Sequence, residues 1–139
     1  VAIALKTVES IQSDEGEPGQ GKRFYISKMV LATFPYKSVA ALNRMYRISD
    51  SSTKGNVIKV LGSMPKKGQV EHLLVAALNN KAFCEEEDPE IVGYPLRVCD
   101  VAYNQLVLRH SIKGVLRTIG TSHRMEVRDY HIDVLKKQL

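Results

Sequence analysis

The feature that most constrains this chain is the spacing of its apolar residues, which recur at three- and four-residue intervals and never in sustained alternation. Val57, Val60, Leu61 and Met64 share one face of a 3.6-residue period, as do Val70, Leu73, Leu74, Ala77 and Leu78. Further stripes run through Cys99, Ala102, Tyr103 and Leu106, and through Ile112, Val115, Leu116 and Ile119. A weaker one joins Val39, Leu42, Met45 and Tyr46. A terminal stripe joins Val127, Tyr130, Val134 and Leu135, with Arg128, Asp133, Lys136 and Lys137 largely off it. A half-buried strand needs period two, which no segment offers. The expected class is all-α.

Punctuation fits the stripes. Asp50, Ser51 and Ser52 are N-cap residue types, because a short side-chain oxygen can accept from an orphan backbone N–H. Pro65 stops the helix that ends at Met64, since proline lacks the N–H and clashes with the preceding turn. Asn79 and Asn80 suit a helix end, Pro95 a first turn, Gly120 a stop, and Thr121 and Ser122 a start. These signals predict helices over about 1–13, 23–34, 37–48, 53–64, 68–79, 95–109, 112–119 and 123–138. The polar, glycine-rich 14–21 segment and the long acidic 81–94 segment read as loops.

At 139 residues the chain fits one domain, 1–139. Its 44% hydrophobic content argues for a packed core rather than disorder. No apolar run approaches the roughly 18 residues of a membrane span. No signal peptide is read, and a start at Val1 rather than Met suggests that something upstream, a leader or a tag, was removed or left out, which leaves cytoplasm and export both open. The net charge of +5 is unevenly spread. Residues 22–67 hold ten Lys or Arg against the single acid Asp50, whereas residues 84–100 hold six acids against Arg97. The bland reading is a segregated solvated surface; the functional one is an anionic partner on the basic side.

Internal similarity is weak. Residues 39–42 (VAAL) can be laid on residues 75–78 (VAAL), an offset of 36, and Val57 and Val60 on Val98 and Val101, an offset of 41. Both lie near the roughly 40–47 residues of HEAT and armadillo units. The 96–106 segment, L-R-V-C-D-V-A-Y-N-Q-L, places Arg and Asp at the start of an apolar helix. In this it resembles the second helix of bacterial HEAT-like repeat proteins. The resemblance implies a short right-handed α-solenoid of stacked antiparallel helix pairs over 37–139, with 1–36 as an irregular N-terminal cap. It also implies a scaffold whose work is protein–protein interaction.

Residues with chemical potential form no recognisable catalytic set. His72 lies off its helix's core face, and His110 sits at a helix C-terminus, where a cation meets the negative dipole end. His123, Glu126, Asp129 and His131 crowd one helix, but a di-iron bundle needs Glu-x-x-His on two helices, and the order here is reversed. No metal or cofactor is therefore expected. Cys84 and Cys99 rule out zinc-finger spacing. Cys99 reads as a small buried hydrophobe, and in an exported protein Cys84 and Cys99 could form a disulfide pinning the acidic loop. There is no G-x-S-x-G elbow, P-loop or dinucleotide fingerprint.

These readings converge on a non-catalytic helical module that binds another protein. Its candidate contacts are Arg44, Arg47, Lys54, Lys59, Lys66 and Lys67 on the basic side, and Glu85, Glu86, Glu87 and Asp88 on the acidic loop. The alternative is nucleic-acid binding through 22–67, supported by clustered cations but weakened by the absence of Trp and the presence of only three Phe. An uncapped solenoid end would also let copies stack into a homo-oligomer.

Overall fold

A computed structural model describes residues 1–10, 20–65, 68–85, 90 and 92–139, without the side chains of Gln20 and Tyr36. Seven helices appear among them: α1 (Ala2–Ser10), α2 (Gln20–Thr33), α3 (Pro35–Ile48), α4 (Ser51–Gly62), α5 (Gly68–Ala77), α6 (Val98–His110) and α7 (Met125–Gln138). The described residues contain no strand; one isolated bridge pairs Phe83 with Arg97. The protein is all-α.

The core forms where the strongest stripes meet. α4 packs chiefly on α6, and around this pair lie α1, α3 and α5 against α4, and α5 and α7 against α6. Val57, Val60 and Leu61 of α4 and Cys99, Ala102, Tyr103 and Leu106 of α6 are almost wholly buried. Asp50 caps α4 as its type suggests, accepting from Thr53 N–H at 2.9 Å. Pro35 begins α3 directly after α2, with its missing N–H at a position that needs no intrahelical partner.

The structure corrects several expectations. The 112–119 segment is not a helix despite its helical spacing. Ser111 takes a left-handed conformation (φ 50°) that ends α6, and Gly114 has φ 81°, so the chain turns away within four residues. Beyond this turn the backbone runs as an irregular strap held by side chains. Asn104 both donates to Ile119 C=O (2.9 Å) and accepts from Ile119 N–H (2.7 Å). The Tyr103 hydroxyl donates to Leu116 C=O at 2.6 Å, and Leu116 N–H donates to His131 Nδ1 at 3.3 Å. Ile119 is buried, so its apolar character serves the core from a loop.

Helix ends shift too. α6 starts at Val98 with Arg97 as its N-cap, leaving Pro95 outside the helix, and α7 starts after Arg124, so Thr121 and Ser122 do not cap it. Neither Asn79 nor Asn80 is left-handed; Asn80 Oδ1 instead accepts from Ala82 N–H at 3.1 Å. The terminal stripe is one residue out of register. α7 buries Arg128, Ile132 and Leu135, while Val127 and Tyr130 are exposed. Residues 11–13 of the first expected helix and 14–19 of the expected loop lie outside the described residues.

Candidate functional site

Buried charge is concentrated where α6, α7 and the segments before them meet. Arg128 is wholly buried, and all five of its N–H donors are used. Nε donates to His123 C=O (2.8 Å), Nη1 to Pro95 C=O (2.9 Å) and Asp100 Oδ2 (2.8 Å), and Nη2 to Tyr94 C=O (2.9 Å) and Gly120 C=O (3.2 Å). One side chain thus ties the 92–97 and 119–124 segments to α6. Asp100 is the third residue of α6 and accepts from Arg97 N–H at 2.9 Å, as a carboxylate at a helix start should. It also accepts from Arg97 Nε (3.1 Å) and Nη2 (2.9 Å), and Arg97 reaches on to Asp129 at 2.9 Å. Two guanidinium groups face two carboxylates. Burial opposes the Arg97 charge, but the hydrogen bonds and charge of Asp100 outweigh it and hold the guanidinium above its ordinary range. Asp100 and Arg128 thereby join three separate parts of the fold.

A second arginine does the same between α4, α5 and α6. Arg109 Nη1 donates to Gly62 C=O (3.0 Å) and Met64 C=O (2.5 Å) at the C-terminal end of α4, where a cation suits the helix dipole. Its Nε and Nη2 donate to Glu71 Oε1 at 2.8 and 2.6 Å. His110 Nε2 lies 2.6 Å from Glu71 Oε2. Burial pushes the Glu71 carboxyl up, but hydrogen bonds from His110 and Arg109 prevail and hold it below its ordinary value.

Cys84 and Cys99 are both free and buried. Cys84 Sγ lies 3.2 Å from Leu96 C=O, and Cys99 Sγ lies 3.7 Å from Asp100 Oδ1. Burial, followed by the neighbouring charges of Glu85 and Asp100 respectively, pushes each thiol up to about 12, so neither is a ready thiolate. The histidine-rich end of α7 is similarly engaged. His123 Nδ1 accepts from Gly120 N–H (2.9 Å), His131 Nδ1 from Leu116 N–H, and Asp129 pairs with Arg97 and with Lys81 (3.6 Å). Among the described residues no group of three or more His, Cys, Asp or Glu is placed to hold a metal ion. Nor is any helix there long and apolar enough to cross a membrane.

The candidate contact residues divide. Arg44 and Arg47 stand exposed on α3. Lys54 and Lys59 on α4 are half-buried; Lys54 Nζ lies 5.1 Å from the centre of the Tyr46 ring. Glu85 is half-buried and accepts from Leu96 N–H at 3.2 Å, which gives it a structural task. Lys66, Lys67, Glu86, Glu87 and Asp88 lie outside the described residues. Arg44 borders an open groove of about 480 Å³, where α3 faces Glu9 of α1 and Asp50 and Thr53 at the start of α4. Ala41, Met45 and Ile48 line its α3 side, and Ile48 is 87% exposed.

Sequence reasoning missed Arg128, Arg109 and Glu71. For Arg128 a signal existed: it lies four and seven residues before Ile132 and Leu135, on their face. An arginine on an apolar face is ordinarily moved outward, and only its carbonyl partners explain why this one is not. Compared with family models, with characterised proteins and with solved structures, the chain matches none.

Proposed function

We propose that this chain is a non-catalytic helical-repeat module, a short HEAT-like stack of helix pairs, that binds another protein. The observation that carries the reading is the α3 rim of the groove. There Ile48, a large apolar side chain, is almost fully in water beside the exposed cations Arg44 and Arg47. Apolar area rimmed by charge marks an interaction surface more often than a random one. Further support comes from the interior, where Arg97, Asp100, Arg109 and Arg128 are engaged in joining elements, leaving the surface as the working part.

The test compares partners captured from the source cell by the wild-type chain and by Arg44→Glu/Ile48→Asp, quantified by mass spectrometry. Both residues face solvent or the groove, so the variant is expected to fold. A partner retained by wild type and depleted about tenfold by the variant supports the reading. Identical partner sets at equal yield remove this face from consideration.

Nucleic-acid binding through 22–67 is the second reading. Lys37, Arg44 and Arg47 favour it, being exposed and free of ion pairs among the described residues. It requires affinity for random duplex DNA that falls steeply with salt. No binding at about 50 mM salt eliminates it.

A further inference from the structure

α2 carries apolar residues on two faces, where a surface helix normally has one. Its inner face is accounted for: Leu31 and Ser27 are buried and Phe24 packs on the core. Its outer face is not. Tyr25, Ile26 and Met29 are 58%, 50% and 55% exposed, and Phe34, just past the helix end, is 53% exposed. At about 200 Å² per large side chain these four leave on the order of 400 Å² of mainly apolar surface in water, well within the size range of functional patches. Lys22 and Thr33 lie on the same line about three turns, or about 16 Å, apart and bound Tyr25, Ile26 and Met29 between them. A stripe bounded in this way suits a finite partner better than the open plane of a bilayer.

The charged residues of α2 itself are all basic. Residues 20–49 contain Lys22, Arg23, Lys28, Lys37, Arg44 and Arg47 and no acid. None of these six cations forms an ion pair among the described residues. Lys28 Nζ lies 5.9 Å from the Phe24 ring centre and 6.0 Å from that of Tyr25, so cation and aromatic surface adjoin at the edge of the stripe.

We infer that the outer face of α2 docks an acidic amphipathic helix of a partner protein. The partner's apolar side lies on Tyr25, Ile26 and Met29, and its carboxylates face Lys22, Arg23 and Lys28. The inference rests on the protein-binding reading and names the partner's chemistry. Apolar area supplies the affinity, and the cations, unpaired among the described residues, set the charge the partner must carry and steer its approach. Met29 adds a flexible, polarisable contact suited to a variety of apolar side chains.

The experiment uses the full chain and two fluorescent peptides of about 18 residues, long enough to become helical when docked. One carries Leu at i, i+3, i+4 and i+7 with Glu elsewhere; the other has the same composition with the stripe scrambled. Anisotropy titrations are expected to show the striped peptide binding at least about tenfold more tightly than the scrambled one, and more weakly at high salt. Ile26→Glu/Met29→Glu is expected to lose that preference, and Lys28→Glu, which leaves the apolar stripe in place, to weaken binding several-fold. Arg44→Glu/Ile48→Asp is expected to leave it within about threefold.

Equal affinity for the two peptides overturns the inference, as does unchanged binding by both α2 variants. Two other outcomes reassign the face. Sedimentation with phosphatidylserine vesicles at concentrations below those that bind the striped peptide gives it to a membrane. A dimer in light scattering that Ile26→Glu/Met29→Glu dissolves gives it to a second copy. A chain that captures a cellular partner through Arg44 and Ile48 yet ignores both peptides sinks this inference alone and leaves the protein-binding reading standing.

Discussion

Replacing Arg128 with Met keeps most of the apolar stem of the side chain and removes its five donors. Two consequences can be sized. Asp100 loses one charge-assisted hydrogen bond, worth about 1.5–3 kcal/mol, but keeps three contacts to Arg97 and so is not left as a bare buried charge. The carbonyls of Tyr94, Pro95, Gly120 and His123 lose their donor. If a small movement hydrates three of them, the one left dry costs about 1–3 kcal/mol. The expected loss is about 3–5 kcal/mol, as for breaking other buried ion pairs. That is a large share of the roughly 5–15 kcal/mol of a typical domain. Urea unfolding monitored by circular dichroism reads it directly, as a midpoint drop of about 2 M for a slope near 2 kcal/mol per molar. Arg128→Lys keeps the charge but offers three donors, and is expected to recover less than half of the loss. Hydrogen exchange should quicken first at the amides of Tyr94 and Gly120, which sit in the segments that Arg128 gathers. A loss below about 1 kcal/mol in Arg128→Met, or full stability in Arg128→Lys, refutes the claim that five-donor geometry holds these segments.

Other expectations are more local. Asp50→Ala removes the α4 cap and should cost about 1 kcal/mol in the same urea assay. Gly93 has φ 147°, and a Cβ there would lie 2.7 Å from Thr121 C=O; Gly93→Ala should lower the melting temperature and cost about 1–3 kcal/mol, while Gly21→Ala, with open space, should not destabilise. The Glu71 carboxyl is held below its unfolded value by His110 and Arg109, so it adds stability above the unfolded pKa that is lost as pH falls through the folded one. The stability gap between wild type and Glu71→Gln should therefore be full near neutrality and close below pH ~4.5; a gap that widens on acidification contradicts the sign. With both thiols pushed up to about 12 and buried, iodoacetamide at pH ~8 should add nothing to the folded chain and two adducts after denaturation, as counted by intact mass.

The sequence was a good guide wherever a local rule had no competitor. The stripes of α4 and α6 bury the very residues their periodicity marks, and Asp50 caps α4 as its chemistry requires, although the helix ends at Gly62, ahead of the Met64 end that Pro65 marked. Arg97 and Asp100, three apart in the sequence, begin α6 as a buried pair. Periodicity failed at 112–119, because apolar spacing there fills a loop that side chains from α6 and α7 hold in place. It failed by one residue in α7, because Arg128 occupies a place on the buried face that patterning reserves for an apolar group.

What the chain's order of residues determines by itself is helical class and most helix positions, since backbone caps, proline breaks and 3.6-residue spacing act over a few neighbours. Only the tertiary structure decides the rest. Asp100 and four carbonyls come from three separate segments, and until the fold brings them together a buried guanidinium at Arg128 would be prohibitively costly. The same holds for the surface: which stripe of α2 is covered and which is left in water depends on helices distant in sequence, so the face assigned to a partner became visible only with the core assembled.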